Sequence, residues 1–288
     1  MGIDPFLFAA FAAGLIAGRV LPARGAWPRR ATFLVVLVLV GLLGGSLAPV
    51  PDASLLAAIP VGVAFASLLI GTTAAFAFAL RPTVPTRGPG PSLPRPPMWL
   101  GLVFLGALGL GYAFGRISDL DPSSALEPTL WVLVAVVAYD LRWTMSALRR
   151  WWAPLAAALA GAVVSAVGMV VVFQMASPVA LATSFGFGFY SLAGPLVDAR
   201  AGATLGFVAF LANFLRENLT MVTSPWLGRY LRGEGLCALG GATSMDTTLY
   251  FVTRYGDPDA GSLAVATGLI LTVAASVAIP VLLAISGA

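Results

Sequence analysis

Long apolar stretches alternate with short polar stretches along most of the chain. A helix that crosses the hydrocarbon core of a membrane needs about 20 mostly apolar residues. The pattern therefore predicts an all-α polytopic membrane protein with about eight transmembrane helices. The predicted spans cover about 5–21, 31–50, 54–80, 98–116, 127–147, 152–176, 201–224 and 260–286.

Two further segments, about 179–198 and 236–254, are apolar but rich in glycine, serine and threonine, so they are poor continuous helices. They share an internal echo: ATSFGFGFY begins at Ala182, and ATSMDTTLY begins at Ala242. We call them the first and second interrupted segments. Interrupted backbone at membrane depth is tolerated only where it is buried or lines a cavity. The echo predicts re-entrant or broken-helix segments that form an inverted repeat, meet near the midplane and line a substrate cavity.

Two other interpretations of these segments remain open. Both segments are consistent with glycine-rich helices that pack through small residues. Alternatively, both cross the membrane fully as discontinuous helices. Arg229 and Arg232, in the polar stretch before the second segment, favour hairpins over full crossings.

Composition supports a membrane location and limits the chemistry. The chain is 59% hydrophobic and 10% charged, with a mean hydropathy of +0.94, whereas soluble domains carry about 25% charged residues. Histidine is absent, which excludes a histidine metal site and a histidine proton relay, and the single Cys237 excludes an internal disulfide. We expect no metal and no cofactor.

The arginines orient the chain. They concentrate in alternate polar stretches, at 19–30, 81–97, 142–150 and 229–232, whereas the other connecting stretches are mostly acidic. By the positive-inside rule, the arginine-rich stretches are cytoplasmic and both termini are extracytoplasmic. The predicted location is the inner or plasma membrane. The proline-rich stretch 81–97 is a predicted linker. It divides a three-span N-terminal unit, 1–80, from a C-terminal transport core, 98–288.

Ionisable residues within predicted spans are the strongest functional candidates, because a charge near the bilayer centre is costly unless it is paired or hydrated. Asp246 lies beside glycines and hydroxyls in the second segment, where it would bind a cation, carry a proton or cap a helix. Glu217 shares a helical face with Asn213 and Thr220 through its i, i+4 and i+7 spacing. Arg216 is predicted to form a structural ion pair, with Asp140 or with Asp246.

Hydroxyl groups at equivalent positions of the echo complete the candidate site. Thr183 and Ser184 in the first segment correspond to Thr243 and Ser244 in the second. These four residues are predicted to donate hydrogen bonds to a substrate. Tyr190 and Tyr250 also correspond and would gate the site or contact the substrate, although tyrosines in membrane proteins also serve in packing and at interfaces. Asp140 lies near the end of its span and has an interfacial interpretation, paired with Arg142.

Enzyme classes find little support in the sequence. The chain contains no GxSxG, HExxH or P-loop pattern, and the aspartates lack the paired signature of an intramembrane aspartyl protease. We therefore do not expect an enzyme. The glycines of SFGFGFYS resemble the composition of a selectivity filter, which leaves a cation channel open as an alternative.

Three stretches, SFGFGFYSLAG, FLANFLREN and GGATSMDTTL, carry a resemblance to the LysO-type lysine exporter family, which covers residues 98–288 most clearly. The resemblance implies a secondary transporter with eight spans that exports L-lysine, coupled to protons. Sodium as the coupling ion, another basic amino acid as substrate and assembly as a homodimer remain open. Asp246, Glu217 and Arg216 carry over from the motifs of the family.

Overall fold

The computed structural model describes residues 5–21, 27–46, 48, 52–80, 99–118, 123–140, 149–257 and 259–285. Every regular element among these residues is helical, which agrees with the predicted all-α class. The helices α1 to α11 span, in chain order, Pro5–Val20, Trp27–Ser46, Asp52–Ala79, Trp99–Ile117, Ser123–Asp140, Trp152–Phe173, Ser177–Ser184, Tyr190–Ala201, Ala203–Gly240, Leu249–Tyr255 and Ala260–Ile285. A 3₁₀ turn, Gly241–Met245, connects α9 to α10.

Three of the described helices are long and apolar enough to cross a membrane by length and composition. They are Ala58–Ala79 within α3, Trp152–Phe173, which is α6, and Ala260–Ile285, which is α11. The predicted total of about eight spans stays a prediction. The predicted linker 81–97 lies outside the described residues.

The chain forms two compact units. The first combines residues 1–50 with 95–143 and contains α1, α2, α4 and α5. Its helices approach closely at glycines: a Cβ on Gly14 would lie 2.2 Å from the carbonyl oxygen of Ala135. A Cβ on Gly111 would likewise lie 1.8 Å from the carbonyl oxygen of Gly41. Small residues thus bring the helix backbones together, as in many membrane helix pairs.

The second unit combines residues 51–94 with 144–288. It includes α3, which the predicted division at 81–97 assigns to the N-terminal part. The side chains of Phe65 and Leu69 on α3 are fully buried in the same apolar core as Met169 of α6. Close packing therefore groups α3 with the C-terminal helices, whereas the sequence division follows the proline-rich stretch.

The first interrupted segment is a helix–turn–helix of residues 177–201, slightly longer than the predicted 179–198. Pro178 lies in the first turn of α7, where its missing N–H costs nothing. The turn between α7 and α8 contains two residues with positive φ, Phe187 at 49° and Gly188 at 93°. α7 ends at Ser184, and this left-handed backbone keeps the turn non-helical until α8 begins at Tyr190.

The second interrupted segment begins within α9. That helix continues through the predicted polar loop 225–235 and changes direction at Arg232, where φ is 57° and ψ is −164°. Apolar side chains such as Leu227 and Leu231 extend the helix beyond the predicted end at 224. The second segment therefore spans residues 233–255, instead of 236–254, and consists of a short helical limb, the 3₁₀ turn and α10.

The two ends of the second segment lie side by side. A Cβ on Gly256 would approach the Cα of Gly233 to 3.0 Å. The backbone N–H of Gly233 also donates a hydrogen bond of 3.3 Å to Oδ2 of Asp257. Arg150 forms ion pairs there with Glu234 and, at 3.9 Å, with Asp257. The chain thus returns at residue 256 to the place where the segment began.

Candidate functional site

One face of α9 contacts both interrupted segments, and Asn213 makes the first of these contacts. Its Oδ1 accepts a hydrogen bond of 2.9 Å from the N–H of Gly188. Its Nδ2 donates to the carbonyl oxygens of Thr183, at 2.9 Å, and Ala209, at 3.0 Å. Asn213 is fully buried, and its amide is occupied by the backbone of the first segment. The amide of Asn213 therefore supports this turn, and a substrate role for Asn213 stays a prediction.

Arg216 contacts the second segment one helical turn further along α9. Its Nη2 donates to the carbonyl oxygen of Ala238 at 3.0 Å, and its Nε donates to that of Leu239 at 3.2 Å. These carbonyls end a helical limb, where the unpaired C=O groups attract cations. The guanidinium also lies 5.8 Å from the ring centroid of Phe187. Its Nη1 is buried and has no hydrogen-bond partner among the described residues.

The two interrupted segments touch through their backbones. The N–H of Ala242 donates a hydrogen bond of 2.9 Å to the carbonyl oxygen of Phe187. Gly241 has φ of 63°, and a Cβ there would lie 2.4 Å from the same oxygen, so only glycine fits. The segments therefore meet, as the echo predicted. Their position at the membrane midplane and a cavity between them stay predictions.

Glu217 lies one helical turn after Asn213, on the same face of α9. Its side chain is 1% exposed, and neither carboxylate oxygen has a hydrogen-bond partner among the described residues. Asp246 and Thr247 of the second segment are its charged and polar neighbours. A buried carboxylate without hydrogen bonds is unusual in a folded protein and calls for a ligand, a proton or water.

Asp246 follows the 3₁₀ turn and is half-buried. Its Oδ1 accepts hydrogen bonds from the N–H of Thr247, at 2.6 Å, and from the Oγ1 of Thr247, at 3.2 Å. These bonds join Asp246 to the next residue, whereas the N-cap position of α10 is Thr248 and has no side-chain cap hydrogen bond. The bonds from Thr247 use one carboxylate oxygen, and the carboxylate remains a neighbour of Glu217.

The predicted hydroxyl groups divide into two kinds. In the second segment, Thr243 donates to the carbonyl oxygen of Gly240 at 2.9 Å, and Ser244 lies 2.8 Å from the carbonyl oxygens of Gly241 and Ala264. In the first segment, the hydroxyls of Thr183 and Ser184 are buried and have no partner within the described chain. The first segment therefore offers unused hydroxyl groups, whereas the second offers a carboxylate.

The two predicted tyrosines begin the second limb of each segment. Tyr190 starts α8, packs edge-on against Phe210 and Phe214 at centroid distances of 5.3 and 5.5 Å, and has Glu217 and Asp246 as charged neighbours. Tyr250 lies in the first turn of α10 and packs edge-on against Phe251 at 5.3 Å. Tyr190 thus belongs to the carboxylate cluster. A substrate role for either tyrosine stays a prediction.

Asp140 is the first predicted ion-pair partner of Arg216, and its side chain lies outside the described part of the chain. Within the described part, Arg216 bonds to backbone carbonyls, as given above, and not to a carboxylate. Among the described residues, no group of three or more histidine, cysteine, aspartate or glutamate side chains could hold a metal ion.

Three residues near the site were not among the predicted site residues. Thr247 bonds to Asp246, and its position directly after an aspartate was a usable signal. Thr267 has a buried hydroxyl without a partner among the described residues, one position before Gly268, which packs against Met245. Phe187 contributes a backbone carbonyl, which no side-chain pattern reveals.

Comparison with known proteins agrees with the motifs. A family model described as the lysine exporter LysO matches residues 100–283. The chain belongs to the lysine exporter LysO family. Members of this family are transporters and not enzymes. No solved structure matches the chain significantly.

Two relatives within the LysO family are informative. The lysine exporter LysO of Escherichia coli is 32% identical over 197 residues, which cover 64% of this chain and 62% of that protein. A putative lysine exporter of Haemophilus influenzae is 29% identical over 105 residues, covering 36% of this chain and 53% of that protein. The chain thus matches less than two thirds of the length of either relative.

Proposed function

We propose that this membrane protein is a secondary transporter that exports L-lysine from the cytoplasm in exchange for protons. The observation that carries the proposal is the buried carboxylate of Glu217, which lacks hydrogen bonds and has Asp246 as its neighbour. Carboxylates within membrane segments are costly, and they mark substrate pathways and proton relays in transporters. The match to the lysine exporter family supports L-lysine as the substrate.

The chemistry follows from the charges. An ammonium group of lysine is compatible with a site that contains two carboxylates and excludes most water, because opposite charges attract more strongly at low dielectric. A proton that binds Glu217 or Asp246 removes the negative charge that holds the ammonium group. Substrate and proton thus compete for the same carboxylates, which is the simplest form of antiport.

The proposed geometry is a pair of re-entrant segments in inverted orientation. The adjacency of Gly233 and Gly256 supports a hairpin for the second segment, because a full crossing would separate its two ends. The helix–turn–helix form of both segments and the hydrogen bond from Ala242 to Phe187 support facing elements at a common site. Interrupted helices that meet at the substrate site are typical of inverted-repeat transporters.

Transport in proteoliposomes tests the proposal. The proteoliposomes contain the purified protein and an acidic interior, and labelled lysine is added outside. Lysine is expected to accumulate inside, because protons leave in exchange. Glu217→Gln and Asp246→Asn are expected to reduce pH-driven uptake by at least about tenfold, because a neutral side chain no longer attracts the ammonium group. Asp198→Asn is the matched control, since Asp198 is exposed on α8, and it is expected to transport normally.

Each alternative has its own outcome. Full pH-driven exchange by Asp246→Asn would contradict the role of Asp246 in binding lysine or protons. Currents without saturable exchange would indicate a cation channel instead. Transport of arginine or ornithine without lysine would keep the mechanism and change the substrate.

A further inference from the structure

Arg216 carries an unused donor inside the same region. The side chain is fully buried, and two of its nitrogens donate to the carbonyl oxygens of Ala238 and Leu239. Its third nitrogen, Nη1, has no partner among the described residues. A guanidinium is always charged in proteins and presents five N–H donors, so a buried nitrogen with no acceptor is costly. The structure therefore leaves one cationic donor available, close to the ring of Phe187.

The unused donor lies next in sequence to the carboxylate that also lacks partners. Glu217 follows Arg216 directly, and the two side chains leave α9 about 100° apart. Arg216 contacts the limb that precedes the 3₁₀ turn, whereas the neighbours of Glu217 are Asp246 and Thr247, which follow that turn. The cationic group thus contacts the residues before the 3₁₀ turn, and the two anionic groups lie at the residues that follow it.

These groups match the charges of lysine in number and sign. Lysine carries one carboxylate and two ammonium groups, and the region offers one guanidinium with two carboxylates. Guanidinium groups are well suited to bind carboxylates, because their N–H donors form strong charge-assisted hydrogen bonds. Resting on the proposed function, we infer that Nη1 of Arg216 binds the α-carboxylate of the transported amino acid.

This assignment gives Arg216 two roles. Two nitrogens hold the end of the helical limb at Ala238 and Leu239, and the third recognises the substrate. The carboxylate then distinguishes an amino acid from a simple diamine of the same length, which presents the same cationic end to Glu217 and Asp246. A purely structural arginine would not affect this distinction.

The test compares L-lysine with 1,5-diaminopentane, which lacks the carboxylate, and with L-lysine methyl ester, whose carboxyl group is neutral. In proteoliposomes containing the wild-type chain, both compounds are expected to compete with labelled lysine at least about tenfold more weakly than unlabelled lysine does. Equal competition by the three compounds would overturn the inference without using any variant. Absence of lysine exchange by the wild type would overturn the proposed function together with the inference.

Variants then assign the effect to Arg216. Arg216→Gln is expected to weaken lysine binding by about tenfold to a hundredfold, the range for losing a hydrogen bond to a charged group, while 1,5-diaminopentane binds nearly as before. Parallel losses for both compounds would show a structural role and contradict the inference. Arg229→Gln, at an exposed arginine of the same helix, is the matched control. Should Arg216→Gln fail to fold, Arg216→Lys replaces it, and the expected selective loss for lysine is the same in direction.

Discussion

Four neighbouring buried polar residues of α9 are used in different ways. Asn213 and Thr220 are occupied by backbone groups of the interrupted segments. Arg216 is partly occupied, and Glu217 has no hydrogen bond among the described residues. The cost of burying a polar group is offset by hydrogen bonds in the first three cases. Among these four residues, Glu217 and the third nitrogen of Arg216 are left for a ligand.

Replacing Asn213 tests its supporting role. Asn213→Ala leaves the N–H of Gly188 and the carbonyl of Thr183 without their partners, which costs about 1–3 kcal/mol for a buried group. We expect a clear decrease in the apparent melting temperature of the detergent-purified protein. Asn218→Ala is the matched control, because the one partner of the Asn218 amide among the described residues is the carbonyl oxygen of Phe214, within its own helix. An equal decrease for both variants would contradict the role assigned to Asn213.

The sequence revealed which residues are chemically important but not how they are used. The spacing of Asn213, Glu217 and Thr220 placed them on one face, because helical periodicity is a local property. The partners of Asn213 lie 25 and 30 residues away, and they are backbone atoms. Such partners depend on tertiary packing, which leaves no local pattern in the chain.

At the scale of elements, the two interrupted segments owe their breaks to backbone conformation. Phe187 and Gly188 interrupt the first segment with positive φ, and Gly241 interrupts the second. Arg232 also has a positive φ, at the point where α9 changes direction. A left-handed conformation in a residue other than glycine costs about 1–3 kcal/mol. Here the ion pairs of Arg150, between the two ends of the second segment, favour the same geometry.

The ion pairs at the ends of the second segment are tested by the chemistry of Cys237. This single cysteine is fully buried one helical turn after Glu234, and Glu234, Asp257 and Arg150 are its charged neighbours. Arg150→Gln leaves buried Glu234 without its cation, which destabilises the closed ends. We expect maleimide labelling of Cys237 to become faster by about tenfold or more, because labelling requires local opening.

The neighbouring arginine supplies the control for this experiment. Arg149 is exposed, and Arg149→Gln is expected to label as slowly as the wild type. A labelling rate that Arg150→Gln leaves unchanged would show that the ion pairs do not hold the ends together. Size-exclusion chromatography of both variants separates local opening from general unfolding.

The positions of the two interrupted segments were predictable from the sequence, but the boundaries of the helices were less predictable. The repeated ATS motif with its glycines located both segments within a few residues. The predicted preceding span ends at 224, because Arg229 and Arg232 follow. The structure continues α9 to Gly240 through Pro225, with a change of direction at Arg232. Local composition does not show whether neighbouring helices support such a continuation, since the supporting contacts come from distant residues.

At the scale of the whole molecule, the distribution of arginines makes the orientation testable. Both termini are predicted to be extracytoplasmic, and the stretch 81–97 is predicted to be cytoplasmic. Alkaline phosphatase, which is active only outside the cytoplasm, is expected to be active when fused after residue 288 and inactive when inserted at residue 89. The reverse pattern would contradict the predicted orientation.

The organisation of the molecule was only partly predictable from sequence. Hydropathy identified an all-helical membrane protein, because a membrane imposes the same length and polarity on every span. The grouping of α3 with the C-terminal helices was not predicted, since it depends on side chains such as Phe65 and Leu69 fitting a shared core. Apolar spans resemble one another in composition, and the shapes of their side chains determine which helices pack together.

The backbone hydrogen bond between Phe187 and Ala242 has a consequence for synthesis of the chain. A ribosome adds about 5–20 residues per second, so the 55 residues from 187 to 242 take roughly 3 to 11 seconds. During this interval the carbonyl oxygen of Phe187 lacks its donor, the N–H of Ala242. The earlier part of the chain is already entering the bilayer. Assembly of the two segments therefore waits until translation is nearly complete. Nascent chains that stop before residue 242 would be early substrates for membrane quality control.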